Sequence, residues 1–326
     1  MKKTSKSVRH LSIAAIVLSM AAIGGEVFIY ASQKENPEEV HQKAIQAGYH
    51  VYSPTIPERV EFAGERVPIE TYYVRESLDR ELIANMYMQS SMLGYIKRAN
   101  RCFPTIERIL KEQGVPDDFK YLCVAESGLA NVTSPAKASG YWQFMKATGI
   151  SYGLEINDEV DMRWDLEAST VAACKYLKAA YRRFGSWTAA AASYNCGEGG
   201  LESRMKKQDV ASYYDTRLNN ETTRYVYRIV AIKTIMQNPQ AYGFRVRKCE
   251  QYPEIPCTTV ELKGQNVDIY QFSKDHGVTY KMLRELNPWL QTDRLTNKGN
   301  KTYKVKIPTA EGKVMRCKGN DTVTKL

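Results

Sequence analysis

The 326-residue chain has no CxxC pair, and its four histidines, His10, His41, His50 and His276, are scattered, so no metal site is expected. GxSxG, HExxH and a phosphate-binding glycine loop are all missing. Their absence removes the serine-hydrolase elbow, the zinc-protease helix and the P-loop nucleotide binders, and no cofactor is expected. Seven cysteines are too few for a dense disulfide framework. Cys123, Cys174 and Cys196 fall in apolar helical patterns and read as small buried thiols. Cys249 and Cys257 flank a proline-containing turn and are placed to pair in an oxidising compartment. Phenylalanine is scarce, with 8 residues against 22 tyrosines, and aromatic rings with polar tips suit a groove that handles sugars. Negative charge is also short, leaving a net +10. That excess suits an anionic partner or a solvated basic surface. The basic run "RMKKQ" (204–208) reads as a solvated helix face, and no nucleic-acid partner is expected.

What is present begins with a targeting segment. Lys2, Lys3, Lys6 and Arg9 precede an uncharged apolar run from Leu11 to Gly24, so residues 1–31 read as a signal peptide or an uncleaved N-terminal membrane anchor. Either reading takes the protein to the cell envelope, periplasmic or anchored facing the periplasm. No cysteine follows the run, so no lipid-modified terminus is indicated. Residues 32–76 are polar and interrupted by proline, which predicts a linker with one short strand at most.

Residues 77–245 read as one α-helical domain. Ile83, Met86, Leu93 and Ile96 recur at helical spacing. A second helix is expected to open at Pro104 and stop at Gly114 and Pro116, and a third starts at Asp117 and Asp118. The longest is predicted from Asp165 to Gly185, followed by "SWTAAAASYNCG" and a helix from about Asn220 to Asn238. In residues 246–326 the texture changes to strand, helix, helix, strand. "TTVEL" (258–262) and "TYKVKIP" (302–308) enclose helices opened by Asp268 and Thr279. The expected fold class is therefore mainly α, with a small separate β-α-α-β module.

One carboxylate stands out. In "DDFKYLCVAESG", Phe119, Leu122, Cys123 and Glu126 stand at i, i+3, i+4 and i+7, so Glu126 shares the apolar face. Burial of a carboxylate raises its pKa, and an acid still protonated near neutrality can protonate a glycosidic oxygen. The alternative is a core-edge glutamate held by an arginine or a backbone amide. Gly128 then ends the helix. Downstream, Gly140 introduces Tyr141, Trp142, Gln143, Phe144 and Met145, a set that suits a sugar-binding wall, and "SYNCG" adds Tyr194 and Asn195.

Together "AESG … SPAKASGYWQFMKATG … ASYNCGEGG … ETTRYVYRI" resembles the lytic transglycosylases of the goose-type-lysozyme-like fold, over roughly residues 100–245. The last module resembles a divergent LysM domain through Gly264, Phe272, Gly277, Val278, Leu283, Asn287 and the closing "VKIP". The resemblance implies that Glu126 is a single catalytic acid/base. It places Ser127, Ser134, Gly140, Tyr141, Gln143, Phe144, Met145, Tyr194, Asn195 and Tyr225 in the substrate groove, with peptidoglycan strands as the partner. It further implies cleavage to 1,6-anhydromuramoyl products and glycan binding by the LysM-like module, unless that module is only a structural appendage. Ser193 and Cys196 depart from the small alanines usual at their positions. Two rival readings are a muramidase, with Asp158, Asp161, Asp165 or Glu198 as a second carboxylate, and a non-catalytic peptidoglycan-binding scaffold.

Overall fold

A computed structural model describes residues 51–314, together with residues 39, 42 and 43. The expected signal segment or anchor, residues 1–31, lies outside the described residues. Among those described, no helix is long and apolar enough to cross a membrane. From Ser53 onward the described residues form one compact unit. It is mainly α-helical, with three two-stranded antiparallel sheets among the described residues.

A hairpin of β1 (Glu61–Phe62) and β2 (Glu65–Arg66) opens the unit. This corrects the expectation of a linker up to residue 76, because Val60, Phe62, Val67 and Ile69 are all buried in the main core. Phe62 meets Phe119 edge-on at 5.3 Å. Val74 joins them in the same core, and Ile56 and Ala63 pack against it partly buried.

Helices α1 (Tyr72–Tyr87) and α2 (Gln89–Gln113) follow, parted at Met88. Helix α1 buries Val74, Leu78 and Leu82, whereas Ile83 is exposed. Helix α2, and not the one after Asp165, is the longest, and it runs straight through Pro104. Proline there removes one backbone donor, but burial of Cys102, Phe103 and Ile106 on the same stretch holds the helix together. Gly114 ends it in the left-handed conformation.

Next come α3 (Phe119–Ser127), α4 (Lys146–Ser151), α5 (Leu166–Phe184), α6 (Trp187–Cys196), α7 (Glu198–Gln208) and α8 (Asn220–Gln237). Side chains cap several of these helices, Asp165 among them as the sequence signals. Asp165 accepts the Ala168 N–H at 2.7 Å to start α5, and Asn219 accepts the Thr222 N–H at 2.8 Å to start α8. Helix α6 gains a second cap from afar. Glu65 of the hairpin accepts the N–H groups of Trp187 and Thr188 at 2.5 and 2.9 Å. The stretch read as linker thus fixes the helix that carries Tyr194 and Asn195.

In the final module, β3 (Cys257–Leu262) pairs with β6 (Tyr303–Pro308) and β4 (Val267–Asp268) with β5 (Arg294–Leu295), enclosing α9 (Ile269–Asp275) and α10 (Tyr280–Leu286). Asp268 and Thr279 cap the two helices as expected. Cys257 carries a free thiol whose Sγ lies 3.1 Å from the Ile255 carbonyl oxygen, so the expected bridge to Cys249 is not made.

The module is docked on the helical part. Val160, 1% exposed, belongs to the module's own core beside Trp289 and Leu290. The Glu159 carboxylate accepts from Thr296 and Asn297 N–H at 3.1 and 3.4 Å, and Lys306 meets Glu167 at 2.7 Å. Val160→Asp should therefore loosen the module. We expect limited proteolysis to cut between residues 245 and 258 faster in the variant, at unchanged secondary structure. Equal cutting rates would show that Val160 does not hold the module.

Candidate active site

Helix α3 is short and strongly anchored. Phe119, Leu122, Cys123 and Val124 are fully buried. At its start the Asp118 carboxylate accepts the Ala63 N–H at 2.6 Å and the buried Lys233 ammonium at 2.7 Å, which joins hairpin, α3 and α8. At its end Gly128 adopts a left-handed φ of +61°, and a Cβ there would sit 2.3 Å from the Tyr95 ring. Arg98 donates to the Gly128 carbonyl at 2.6 Å. Glu126 is thus held half-buried in the last turn of a fixed rod.

The Glu126 carboxyl accepts a short hydrogen bond from the buried Tyr225 hydroxyl. Burial pushes its pKa up to about 7, against the smaller opposing pull of the Tyr225 hydroxyl and Arg228, and Glu221 adds to the rise. Glu221, Tyr225 and Arg228 stand at i, i+4 and i+7 on α8, so one face of that helix supplies these groups. Such a carboxyl is about half protonated at neutral pH, able to give a proton and then take one. Sequence reading found Tyr225 through the resemblance but missed Glu221 and Arg228, although both lie on the same helical face.

Helix α6 comes near Glu126 through Tyr194, on which the Glu126 charge acts. Tyr194 donates to the Trp142 carbonyl at 2.8 Å, and its ring meets Phe144 and Tyr176 edge-on at 5.9 and 5.0 Å. Asn195 donates to Glu221 at 3.2 Å and accepts from the Thr222 hydroxyl at 2.8 Å, linking α6 to α8. Ser193 is buried with its hydroxyl on the Ala190 carbonyl, and the Cys196 thiol lies 3.5 Å from the Ala192 carbonyl oxygen. Ser193 is engaged within its own helix, whereas Cys196 also meets Thr222 of α8.

The loop between α3 and α4 is built by its own polar groups. Gln143 donates to the carbonyls of Val132 and Gly140 at 2.9 and 2.7 Å, and Ser134 accepts the Ala138 N–H at 3.1 Å. The Ser127 hydroxyl is turned to the Cys123 carbonyl at 3.2 Å. Gly140 has φ +83°, and a Cβ would lie 1.8 Å from the Arg163 carbonyl oxygen. The close approach that this glycine permits is therefore to Arg163. Arg163 itself is buried, paired with Asp161 at 2.6 Å, and donates to the carbonyls of Lys137 and Phe144 at 3.2 and 3.0 Å. Nothing in the sequence marked it.

The structure brings Glu126, Tyr225, Tyr194, Asn195 and Phe144 together. Tyr141 stands apart. It lines a cavity of about 1330 Å³ with Arg98, Arg101, Tyr280 and Arg284, whose lining does not include Glu126. Met145 is exposed. Of the rival carboxylates, Asp161 is bound to Arg163, Asp165 caps α5, and Glu198 meets Arg183 at 3.1 Å. Asp158 is exposed. In the module, Asn287 is fully buried, with its amide on the Leu283 and Lys306 carbonyls at 2.8 and 2.7 Å. It braces helix against strand and offers no surface to a glycan.

Residues 103–216 match the transglycosylase SLT domain family, and residues 258–311 match the soluble lytic transglycosylase C-terminal LysM-like domain family. Among individual proteins the chain is similar to membrane-bound lytic murein transglycosylase D of Escherichia coli strains K12 and O6:H1, with 30% identity over 179 residues to each. The matched stretch is 53% of this chain, and the chain spans 39% of the length of these curated relatives. Among solved structures, the 70 kDa soluble lytic transglycosylase of Escherichia coli aligns with TM-score 0.37 and 20% identity, covering 46% of this chain and 26% of that one. An inactive mutant of the lytic transglycosylase Slt from Pseudomonas aeruginosa aligns with TM-score 0.34 and 20% identity over the same shares.

Proposed function

We propose that this chain is a lytic transglycosylase of the cell envelope that cleaves peptidoglycan between N-acetylmuramic acid and N-acetylglucosamine. The observation that carries the reading is Glu126, a half-buried acid poised near pH 7 by burial and bound by Tyr225, inside the matched transglycosylase domain. Glu126 gives its proton to the glycosidic oxygen, and the muramoyl N-acetyl group stabilises the developing oxocarbenium ion. Glu126 then takes the proton from the sugar's own 6-hydroxyl, which closes the 1,6-anhydro ring. The hydroxyl is already held on the substrate, so its effective concentration exceeds that of water. Tyr194, Asn195 and Phe144 form the facing wall, and Gln143, Ser134 and Gly140 shape the loop that borders it. The helical domain to residue 245, with the hairpin of Glu61–Arg66 that belongs to its core, is the catalytic domain, and residues 246–326 are the glycan-facing module. No metal or organic cofactor enters this chemistry.

One observation favours a muramidase as the second reading. Glu221, which raises the Glu126 pKa, is a carboxylate not weighed from the sequence. It is exposed and held by Asn195. The two readings separate on Glu221→Gln. A base that activates water would be lost, with turnover falling on the order of 100-fold or more. The transglycosylase reading expects only a modest loss, and the descending limb of its pH–rate profile, near pH 7 in the wild type, should move down. The sign follows from Glu221 being a like charge that raises Glu126. A 100-fold loss at every pH would favour the hydrolase.

A further inference from the structure

Glu81 lies on α1, outside the site just described, and is 1% exposed. Its carboxylate meets Arg224 Nε at 2.5 Å, and both Arg80 Nε and Arg228 Nε at 3.7 Å. A carboxylate so buried is tolerated only when paired, and here two of its three partners come from α8. Arg228 also acts on the Glu126 carboxyl, opposing its rise. Arg228 stands three residues beyond Tyr225, whose hydroxyl bonds Glu126, on the same α8 helix, so a guanidinium paired with Glu81 at 3.7 Å is also near enough to act on Glu126, and it is 33% exposed along its side chain.

We propose that Glu81 is a positioning residue for the acid: it holds the Arg228 guanidinium against α1, prevents it from ion-pairing with Glu126, and so keeps Glu126 available as a proton donor. The inference rests on Glu126 being the acid. The titratable and charged groups acting on Glu126 come from three helices. Tyr194 is on α6, Glu221, Tyr225 and Arg228 are on α8, and Cys123 is on its own helix. Arg98 of α2 is engaged at the Gly128 carbonyl, beyond the end of α3. Arg228 is thus the cation acting on this carboxyl, and Glu81 is the group that can hold it off. Arg224 completes the clamp, because it fills the other oxygen of Glu81 and fixes the carboxylate's orientation.

The test uses the full chain with Glu81→Gln, Arg228→Gln and the double variant. Activity on soluble glycan fragments is measured against pH, and the Glu126 carboxyl is titrated by ¹³C NMR, identified by its loss in Glu126→Gln. In Glu81→Gln the freed guanidinium turns to Glu126. The descending limb and the Glu126 titration should both move down by about one pH unit, with activity recovering toward wild type at acid pH. Arg228→Gln should move both upward, and in that background Glu81→Gln should move neither further. A uniform loss at all pH with an unmoved titration would make Glu81 a structural tie between α1 and α8. A shift that persists without Arg228 would mean that Glu81 acts by its own charge, which also overturns the proposal. If Glu81→Gln fails to fold, Arg228→Gln alone decides, since an unmoved titration there removes Arg228 from the account. Failure of the acid assignment would look different: Glu126→Gln would keep its turnover, while the Glu126 titration would still move in Arg228→Gln, where the carboxyl is intact.

Discussion

Glu126→Gln is expected to lower turnover by on the order of 10³-fold or more, because the amide keeps the shape but carries no transferable proton. Its Oε1 can still accept the Tyr225 hydroxyl, so the helix end should keep its geometry. The fold should gain in a way that depends on pH. Burial raises the Glu126 pKa from 4.5 to about 7, so the native state holds this proton more tightly than the unfolded chain. The group's contribution to stability is full below the ordinary carboxylate value and is lost as pH rises through about 7. Glutamine does not ionise, so the melting temperature of the variant relative to wild type should rise between pH 5 and pH 8. A folded Gln variant with substantial turnover would move the acid elsewhere.

Arg163→Ala should have the largest effect on the structure. The side chain is buried against an equally buried Asp161 and ties down two carbonyls of the loop that borders the site. Removing one partner of a buried pair leaves an uncompensated charge, at a cost of about 3–5 kcal/mol. The loop from residue 131 to 145 would lose its anchor with it, so chemical denaturation should show an early transition and activity should fall together with stability. Asp161→Asn with Arg163→Met, which removes both charges, should recover much of the stability. If Arg163→Ala were as stable as wild type, the buried pair would not be what organises this loop.

The helical domain was legible because its signals are local. Asp165 and Gly185 each state a helix end in a single residue, and the structure puts the ends there. Glu126 was legible as an anomaly, a carboxylate on an apolar face. What escaped is non-local. Pro104 signals a helix start by its own chemistry, but the core contacts of Cys102 and Phe103 carry the helix through it. Glu65 looks like one more acid in a polar stretch until the chain folds and brings it to the start of α6. Gly140 opens the motif that suits a sugar-binding wall, and the backbone whose approach it permits is that of Arg163. Asn287 was read with the glycan-binding positions and proves to be a buried brace, a role that requires knowing which carbonyls lie within reach. Tyr141 follows Gly140 in the motif, yet it lines a cavity shared with residues of the C-terminal module and not with Glu126.

Mass analysis of peptidoglycan digested by the full chain tests the central claim most directly, since anhydro and reducing products differ by one water. Glu126 is the acid in this account, Asp161, Asp165 and Glu198 are committed elsewhere, and the muramoyl 6-hydroxyl is the nucleophile. The expected digest consists mainly of 1,6-anhydromuramoyl sugars, in wild type and in Glu221→Gln alike. A digest dominated by reducing muramoyl ends, and abolished in Glu221→Gln, would contradict it and assign the site to a water-using muramidase.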